Sequence, residues 1–552
     1  MSLDRCLFLA RAGDAGEREP LARRIDALAR WHGGAASWRR VGERVAAGVV
    51  RYDDRAESLD GPLAFGEEPA LAHPIDATPL ELRALDGATA VLELGADRAC
   101  LAGGAGGPGT LFAASSGGID AWSTHAVAAA YLATGRARVD PAAIPEQLAA
   151  EFVGGERSLI EGARPLSTAV RITAGDERAA TEDYWPAAER WAAVPEAEAA
   201  EHAERHLLES LTRRAGERPY ASLTAGLDSR VVAVALRELG IAPRAFTWGE
   251  ADWDDVRGAA DLARRLGIAH EVVGIEWLVD AEALREVQRQ VRWNEGAIQV
   301  GFGRLAWPRG MPGFVTGAGG ETGRAFYYRD LEPGTEHAGP EELAGALVRL
   351  LEPRLAGARR EALDELARSV RGWVDAAGGA GRDGWRTLDV VYGEQRVRRW
   401  LRGMLPRLDA PMIPAFATPE IGRALASLPL GERLSDGFHR GFLARHAPDL
   451  APAPAATAGP GRRGLRDRLP ARLRPQPRSF LGERWHERPE FRDWIADGVL
   501  GSPLVTEPLG EGWAGRTRRR FMAGDGHAEA MALAAAGPVA LADALAELNA
   551  DG

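Results

Sequence analysis

The chain has 552 residues, 45% hydrophobic and 27% charged, which indicates a globular protein of two or more domains. The net charge of −11 argues against a nucleic-acid-binding surface, and two cysteines are too few for a disulfide framework or a cysteine-based zinc motif. The charged N-terminus does not have the pattern of a signal peptide, and no uninterrupted apolar run reaches membrane-spanning length. We therefore expect a cytoplasmic protein with no nucleic-acid or membrane partner.

The sequence contains no lysine, so all 68 of its basic residues are arginine. A Walker A phosphate loop requires lysine, and so does Schiff-base chemistry, including that of pyridoxal phosphate. These kinds of site are therefore excluded. Any cation that the chemistry of this protein requires must be arginine, histidine or a metal ion.

Residues 1–185 have the pattern of a β-rich unit, in which short apolar runs are separated by glycine and proline clusters. The runs are 6–10, 45–52, Ala88–Leu94 and 110–114. Residues 103–109 contain the letters GxGxxG, but no helix pattern follows them, so we interpret them as a hairpin loop. Helical patterns follow at 124–134 and 145–152.

From residue 186 the pattern changes to strands that alternate with helices. A long helix is predicted over 197–214. Further along, strands are predicted over 243–249 and 270–274, with a helix over 254–266 between them. This alternation predicts a parallel, doubly wound α/β sheet, which binds ligands at the carboxyl ends of its strands.

The stretch 220–237 has the pattern of a strand, a tight turn and a helix. Small and hydroxyl-bearing residues form the turn, in the sequence SLTAGLDS. Such a turn directs backbone N–H groups and the positive end of a helix at one point, which suits an anion. Residues 311–321 repeat the arrangement, because a strand there leads into a small-residue turn that ends in Glu321.

The rest of the chain is predicted to be mainly helical. Residues 340–450 show repeated Leu and Ala spacing, and residues 479–552 have the pattern of amphipathic helices. Between them, residues 451–477 are rich in Pro, Ala and Arg, which predicts a loop or lid without packed structure.

The sequence SLTAGLDSR at 222–230 resembles the SGGxDS pyrophosphate loop of the N-type ATP pyrophosphatases. The following stretches resemble, in the same order, the asparagine synthetase branch of that superfamily, which includes β-lactam synthetases and lasso-peptide cyclases. They are AFTWG, VTGAGGE, YGEQRVRRW, PMIPAF and LSDGFHRGFLARHAP. The first 185 residues resemble, more weakly, the Ntn-type amidohydrolase domain of the same branch.

The resemblance implies an α/β fold of two domains. Residues 1–185 would form a degenerate, Ntn-hydrolase-like β-sandwich, similar to a glutamine amidotransferase but without glutaminase activity. Residues 186–552 would form an asparagine synthetase-like, ATP-binding domain with the parallel sheet of the ATP pyrophosphatases and a helical C-terminal part. The implied cofactors are ATP and Mg²⁺.

The resemblance also implies roles for particular residues. The ATP pyrophosphate would be bound by Ser222, Thr224, Ala225, Gly226, Leu227, Asp228, Ser229, Thr247, Gly317 and Gly319. Mg²⁺ would be held by Asp228 and Glu321. Glu394 falls near an acidic residue that family members use around the reacting carboxyl group, and we expect it to be the general base. Arg440 stands where the family usually has a lysine that stabilises the charged intermediate.

This chemistry is consistent with what amide formation needs. Adenylation gives a carboxylate a leaving group, and the pyrophosphate that departs must be neutralised by cations and N–H donors. The amine then attacks, a base removes its proton, and a cation stabilises the tetrahedral intermediate. Arginine can supply that charge but does not readily transfer a proton, so Glu394 is the expected proton acceptor.

The chain departs from the family pattern at three positions. Ala225 stands where the loop motif has glycine, and its methyl group is tolerable unless the backbone there needs a positive φ. Ala318 stands where asparagine synthetases have Glu and β-lactam synthetases have Tyr. Ser2 stands where family glutaminases have their nucleophilic cysteine, and Cys6 is the nearest thiol, so we expect glutaminase activity to be absent.

We therefore expect an AMP-forming amide synthetase of specialised metabolism, which joins a small-molecule or peptide carboxylate to an amine. A lasso-type macrolactam cyclase is one concrete version, and it would have a leader-peptide-binding protein or a protease as partner. One alternative is a glutamine-hydrolysing asparagine synthetase. Another is a non-catalytic relative that binds nucleotide or peptide.

Overall fold

The structure is a computed structural model that describes residues 5–14, 16–52, 56–66, 73–85, 88–106, 110–217, 219–278, 280–297, 303–305, 311, 313–331, 337–404, 412–450 and 487–550. The predictions for Ser2, for residues 451–477 and for the end of the 103–109 segment fall outside these residues.

The first half contains two antiparallel sheets. Its elements are β1 (Arg5–Ala12), α1 (Arg18–His32), β2 (Ala36–Val41), β3 (Val45–Arg51), β4 (Leu63–Gly66), α2 (Pro79–Leu82), β5 (Ala88–Leu94), β6 (Arg98–Gly103), β7 (Phe112–Ser116), β8 (Ile119–Ser123), α3 (Ala126–Thr134), α4 (Ile144–Ala150), β9 (Arg164–Pro165), β10 (Val170–Gly175) and β11 (Ala179–Asp183). The strand orders are β2-β3-β1-β8-β7-β9 and β11-β10-β6-β5-β4. The predicted apolar runs match or overlap β1, β3, β5 and β7, and the two predicted helices overlap α3 and α4.

The two sheets pack on each other, and helices α1 and α3 cover the first sheet. Phe8 of β1, Phe65 of β4, Leu101 of β6 and Ile172 of β10 are fully buried in the shared core. Every residue of β3 is buried. Burial on both faces explains why this strand is a continuous apolar run rather than an alternating one.

The second half contains the predicted parallel sheet and most of the helices. Its elements are α5 (Ala187–Arg190), α6 (Glu196–Arg214), β12 (Tyr220–Ser222), α7 (Leu227–Glu238), β13 (Arg244–Trp248), α8 (Asp254–Leu266), β14 (His270–Val273), β15 (Ile275–Trp277), α9 (Asp280–Asn294), β16 (Gly303–Leu305), β17 (Phe314–Thr316), α10 (Pro340–Leu351), α11 (Arg360–Gly378), α12 (Thr387–Val390), α13 (Arg398–Met404), β18 (Met412–Pro414), α14 (Pro419–Ser427), α15 (Leu430–Leu434), α16 (Gly437–His446), α17 (Pro489–Asp493), α18 (Pro503–Leu509), α19 (Glu511–Met522) and α20 (Gly526–Ala550). A π-helical segment, Val391–Val397, joins α12 to α13.

The sheet of the second half has the order β14-β13-β12-β17-β18, and all of its strand pairs are parallel. Large side chains such as Tyr220, Phe246 and Phe314 belong to one apolar core, whereas Ala221 and Val315 belong to another, which includes residues of α6, α7, α8, α14 and α16. Alternate positions of each strand are therefore buried on opposite faces. This confirms the predicted parallel α/β sheet.

Helix α20 differs from the prediction for the C-terminal tail. It is not amphipathic, because most of its residues are buried against α1, α4, α9 and α19. It contacts the first half directly, since Nε1 of Trp31 donates to the carbonyl of Ala544 at 2.7 Å. By length and composition it is the single helix of the described chain that could cross a membrane, but 78% of its apolar window is buried within the protein.

Candidate functional site

The two loops predicted to bind phosphate and metal follow adjacent strands. β12 lies at the centre of the sheet, between β13 and β17, and pairs in parallel with both. In a doubly wound sheet, a crevice opens at the carboxyl ends of two neighbouring strands whose connections leave in opposite directions. The loop after β12 and the turn after β17 meet in this crevice.

The loop after β12 ends at the N-terminus of α7. The helix begins at Leu227, and Gly226 caps it without a side-chain hydrogen bond. The first N–H groups of a helix have no partners within the helix, and they carry the positive end of its dipole. The N-terminus of α7 therefore suits an anionic ligand.

Two hydroxyl groups of the loop shape its backbone. The Thr224 N–H donates to Oγ of Ser229, and the Gly226 N–H donates to Oγ1 of Thr224, both at 3.1 Å. The Ser229 hydroxyl lies 3.1 Å from the Thr224 hydroxyl and 3.2 Å from its carbonyl. Both side chains were predicted to contact pyrophosphate, and in the structure they close the loop on itself.

Ser222, Leu227 and Thr247 were also predicted to bind pyrophosphate, and in the structure they anchor the loop to the protein. Ser222 ends β12 and is buried, and the Leu227 side chain packs into the core. The Thr247 hydroxyl, in β13, donates to the Leu223 carbonyl at 2.6 Å and lies 2.9 Å from Nε2 of His270. Thr247 therefore positions the loop through a contact within the protein.

The methyl group of Ala225 is accommodated by a glycine in the neighbouring helix. Ala225 keeps a negative φ, so the loop does not need glycine for backbone reasons. A Cβ atom on Gly258 of α8 would lie 2.5 Å from the Ala225 Cβ, well inside van der Waals contact. The alanine at this position of the loop is thus matched by the absence of a side chain at Gly258.

The turn after β17 packs directly on the first turn of α7. A Cβ atom on Gly317 would lie 2.7 Å from the Asp228 backbone, and one on Gly320 would lie 2.3 Å from Oδ1 of Asp228. Gly319 has a φ of +90° and lies against Ala417, which follows β18. Gly317 and Gly320 are therefore required by close approach to the first turn of α7, and Gly319 by its positive φ and its contact with Ala417.

Asp228 is held between the side chains of Arg324 and His439. Its Oδ2 accepts from Nη1 of Arg324 at 3.1 Å, and Nε2 of the buried His439 lies 2.8 Å from its Oδ1. Burial by itself raises the pKa of Asp228, but the His439 and Arg324 contacts outweigh it and leave that pKa below its ordinary value. Asp228 is therefore ionised at neutral pH.

Glu321 has the opposite electrostatic setting. The Tyr392 hydroxyl donates to its Oε2 at 2.9 Å. Burial, followed by the negative charge of Asp228, raises the pKa of Glu321. The two carboxylates therefore oppose each other's ionisation, and a divalent cation between them would relieve this repulsion.

A magnesium ion fits this pair of residues. Mg²⁺ is commonly held by one or two carboxylates and takes its other ligands from phosphates and water. Across the described ranges, no group of three or more His, Cys, Asp or Glu side chains is arranged to hold a metal ion. Asp228 and Glu321 would therefore hold the ion together with phosphate oxygens.

Arg440 lies in the same ionic network as Asp228. Asp436, which caps α16 with a φ of 59°, accepts from Nε of Arg324 at 3.1 Å and from Nη2 of Arg329 at 2.7 Å. Nη2 of Arg440 lies 3.7 Å from Oδ2 of Asp436, and its side chain is 42% exposed. Arg440 is therefore the member of the network that is most open to a ligand.

Glu394, which is predicted to be the general base, is held by side chains from both halves of the chain. Its Oε1 accepts from Nε1 of Trp191 at 2.7 Å and from Nη2 of Arg190 at 3.1 Å, and its Oε2 accepts from the Thr168 hydroxyl at 2.9 Å. Burial raises its pKa, but Arg190, Arg398 and these hydrogen bonds reverse the effect and lower it. These contacts join the two halves of the chain at Glu394, and its role as general base stays a prediction.

Three residues of the site were not singled out from the sequence: Arg324, Tyr392 and His439. Each lies within a stretch that carried the family resemblance or directly after one. Their roles depend on partners distant in sequence, since Tyr392 reaches Glu321 and His439 reaches Asp228. Tyr392 lies in the π-helical segment, and such segments are frequent at functional sites, but a π-helix has no clear sequence signal.

The thiol of Cys6 is not arranged as a nucleophile. It lies within β1, fully buried, with its Sγ 3.2 Å from the Ser123 hydroxyl. Burial raises its pKa to about 12, so the reactive thiolate is disfavoured. Cys100 is also buried.

The sequence matches no protein-family model and no curated protein.

Proposed function

We propose that this protein is an ATP-dependent amide synthetase that forms AMP and pyrophosphate. In this proposal it adenylates a carboxylate and then joins the acyl group to an amine. The observation that carries the proposal is the direct packing of two glycine-containing turns, which brings Asp228 and Glu321 together at the N-terminus of α7. That arrangement combines N–H donors, a helix dipole and two half-buried carboxylates at one point.

Each group of the site would have a different role in this reaction. The first turn of α7 would hold the pyrophosphate part of ATP by its N–H groups. Bound Mg²⁺ would neutralise the departing pyrophosphate. Arg324, already placed beside Asp228, keeps that carboxylate ionised and in one orientation.

The condensation step needs a cation and a proton acceptor. Arg440 is partly exposed, and among the described residues it pairs with one carboxylate at 3.7 Å, so its charge is available to a developing oxyanion. Glu321 would be occupied by Mg²⁺, so Glu394 stays the predicted proton acceptor. Because the chain contains no lysine, no amine side chain competes with the amine substrate.

The first half supports a synthetase that does not hydrolyse glutamine. We propose that it is a degenerate Ntn-hydrolase-like sandwich, on the basis of its two packed antiparallel sheets and the buried Cys6. The amine would then come from a second molecule or from the same molecule, as in a macrolactam cyclase acting on a peptide. A glutamine hydrolysis assay distinguishes this from a glutamine-dependent asparagine synthetase, because glutamate release would contradict it.

The reaction can be tested without knowing the amine. Full-length protein is incubated with ATP, Mg²⁺, a panel of carboxylates and hydroxylamine, which traps acyl-adenylates as hydroxamates. We expect AMP, pyrophosphate and hydroxamate in equal amounts, and a loss of at least about 100-fold in Asp228→Asn. Asp364→Asn, which changes an exposed carboxylate of α11, is the matched control and should retain full activity.

Two results would contradict the proposal. Release of ADP would mean cleavage at a different phosphate. Equal rates for Asp228→Asn and Asp364→Asn would mean that the crevice is not the reaction site.

A second function, nucleotide binding without reaction, is favoured by the hydrogen bonds that the loop after β12 makes with itself. Asp228 is already paired with Arg324, and Thr224 and Ser229 bond to the loop itself, which would suit a relative that binds nucleotide without reacting. In that case calorimetry would detect ATP binding that Asp228→Asn weakens, while no AMP forms with any carboxylate.

A further inference from the structure

A small cavity lies between the two halves of the protein, away from the crevice. The first half contributes Thr110, Phe112 and Gln147 to its lining, and the second half contributes Asn294 and Ala297. Its volume is about 50 Å³, whereas a single water molecule needs about 10–15 Å³ of such space. The cavity therefore has room for a molecule of about three to five non-hydrogen atoms.

Three buried side chains of the lining each have a polar atom that bonds to no described residue. These atoms are Oγ1 of Thr110, Oε1 of Gln147 and Nδ2 of Asn294, and each of the three residues is at most 2% exposed. Buried polar atoms in folded proteins almost always have a hydrogen-bond partner. Three such atoms in the lining of one cavity therefore indicate that it is built for a polar ligand.

The other atoms of the two amide side chains show which end of each is free. Oδ1 of Asn294 accepts from the Gly296 N–H at 2.9 Å, and Nε2 of Gln147 donates to the Ala297 carbonyl at 2.8 Å. The free atom of Asn294 is therefore a donor, and the free atom of Gln147 is an acceptor. The Thr110 hydroxyl can serve as either.

The segment that carries Asn294 has a defined backbone conformation. Glu295 and Gly296 both lie in the left-handed region, with φ of 56° and 67°, and the Ala297 N–H donates to the Asn294 carbonyl at 3.1 Å. A residue such as Glu295 keeps this uncommon conformation only where the surrounding structure fixes it. The donor of Asn294 is thus held in place before any ligand binds.

The charged groups of the lining have partners within the protein. Glu295 accepts from two N–H groups at the start of α3 and lies 3.7 Å from Nη2 of Arg402. Arg399 donates to three carbonyl groups, and its charge interacts with those of Glu146 and Glu394. Its Nε bonds to no described residue and is a further donor. Because the charges are already balanced, a neutral ligand with a good acceptor suits the cavity.

We propose that this cavity binds a small primary carboxamide. The ligand carbonyl would accept from Nδ2 of Asn294, its NH₂ group would donate to Oε1 of Gln147, and the Thr110 hydroxyl would complete the set. A primary carboxamide carries an acceptor and a donor side by side and has no charge. Cys6 is not among the described residues that line the cavity, so the binding involves no thiol chemistry. The inference does not rest on adenylation.

Saturation-transfer NMR on the full-length protein, without ATP or Mg²⁺, measures the binding. The probes are acetamide and three molecules of similar shape, acetate, acetone and 2-propanol, each with a methyl group that reports contact. We expect acetamide to bind with a Kd of about 10 mM or tighter. Acetone has no donor for Gln147, acetate adds a charge, and 2-propanol has a single oxygen for both roles, so each should bind at least about tenfold more weakly.

The variant Thr110→Val tests whether acetamide binds in this cavity. It keeps the shape of the side chain and should weaken acetamide binding about fivefold. Without ligand, its thermal midpoint should stay the same or rise, because the lost hydroxyl has no partner among the described residues. The control is Thr212→Val, at an exposed threonine of α6 that bonds to the Leu208 carbonyl, and it should bind acetamide normally.

A second variant, Gln147→Met, removes the acceptor and tests it even if Thr110→Val does not fold. Without the acceptor, the NH₂ group of acetamide has no advantage, so acetamide and acetone should bind equally. Asp228→Asn should bind acetamide like the original protein, so a failure of the adenylation proposal would leave this result unaffected.

The proposal is overturned if acetamide does not saturate the protein up to about 100 mM, which would mean that the cavity holds water only. It is also overturned if acetate, acetone or 2-propanol binds as tightly as acetamide, or if Gln147→Met still prefers acetamide to acetone. Equal affinity of Thr110→Val and Thr212→Val for acetamide would place the binding elsewhere and overturn it as well.

Discussion

Gly258 of α8 faces Ala225 of the phosphate loop, and this pair provides a test of how the loop tolerates its alanine. In Gly258→Ala, the new Cβ would lie 2.5 Å from the Ala225 Cβ. Two methyl groups cannot approach so closely, so the loop or the helix must move. Ala225→Gly removes the opposing methyl group and should relieve the clash.

The clash and the change in helix propensity set the expected changes in the free energy of unfolding. Overpacking at a buried contact costs about 1–3 kcal/mol, while replacing glycine by alanine within a helix stabilises by about 1 kcal/mol. Gly258→Ala should therefore lower the free energy of unfolding by about 0–2 kcal/mol. Ala225→Gly alone should cost about 1 kcal/mol, from the lost methyl burial and the added chain entropy. The double variant has no clash and should be close to the original protein.

A double-mutant cycle measures this coupling. Chemical denaturation of the four proteins should show that the double variant is more stable than the sum of the single changes by about 1–3 kcal/mol. If the two changes instead add to within about 0.5 kcal/mol, Gly258 does not accommodate Ala225 and the reasoning is wrong.

Three further changes test the site and the core. Gly320→Ala places a Cβ 2.3 Å from Oδ1 of Asp228, so hydroxamate formation should fall by at least about 100-fold. Tyr392→Phe removes the donor to Glu321, so the carboxyl pKa should rise and the ascending limb of the pH–rate profile should move to higher pH. The pKa of the buried His32 is lowered from 6.5 to about 3 by burial. Because the unfolded chain binds this proton first, the free energy of unfolding should fall as the pH drops from about 6.5 towards 3, by up to about 1.4 kcal/mol per pH unit.

Each of these three predictions has a control variant. Gly345→Ala, where the nearest side-chain atom to the new Cβ is at 3.6 Å, should be active, and equal activity of Gly320→Ala would contradict the close approach. Tyr328→Phe, a buried tyrosine beside Trp385, should leave the pH–rate limb in place, and no shift in Tyr392→Phe would mean that its hydroxyl does not govern Glu321. His32→Phe should flatten the acid slope, whereas the exposed His73→Gln should not. If the free energy of unfolding of His32→Phe still falls with the same slope in acid, groups other than His32 cause the loss of stability.

Much of the fold could be predicted from local patterns. The helix over 254–266 was predicted with the bounds that α8 has, and β5 coincides with its predicted apolar run. These elements follow the periodicity of their own side chains, which is a local property. α20 was not predicted correctly, because a helix buried on most sides lacks the polar face that amphipathic patterns detect.

The two small-residue turns were also visible in the sequence, but the contacts between them were not. Glycines at 317 and 320 indicate tight turns, yet only the packing of β17 against β12 shows that both approach Asp228. In the same way, Glu394 has the residue type of a base, and only the fold shows its contacts with Arg190, Trp191 and Thr168.

The sequence by itself therefore determined the succession of strands, turns and helices, the absence of lysine and the positions of the carboxylates. Tertiary structure decided which cation faces which carboxylate, and with it each pKa and each chemical role. The physical reason is range: backbone preferences act over a few residues, whereas desolvation and charge pairing depend on groups such as Asp228, Arg324 and His439 that only folding brings together.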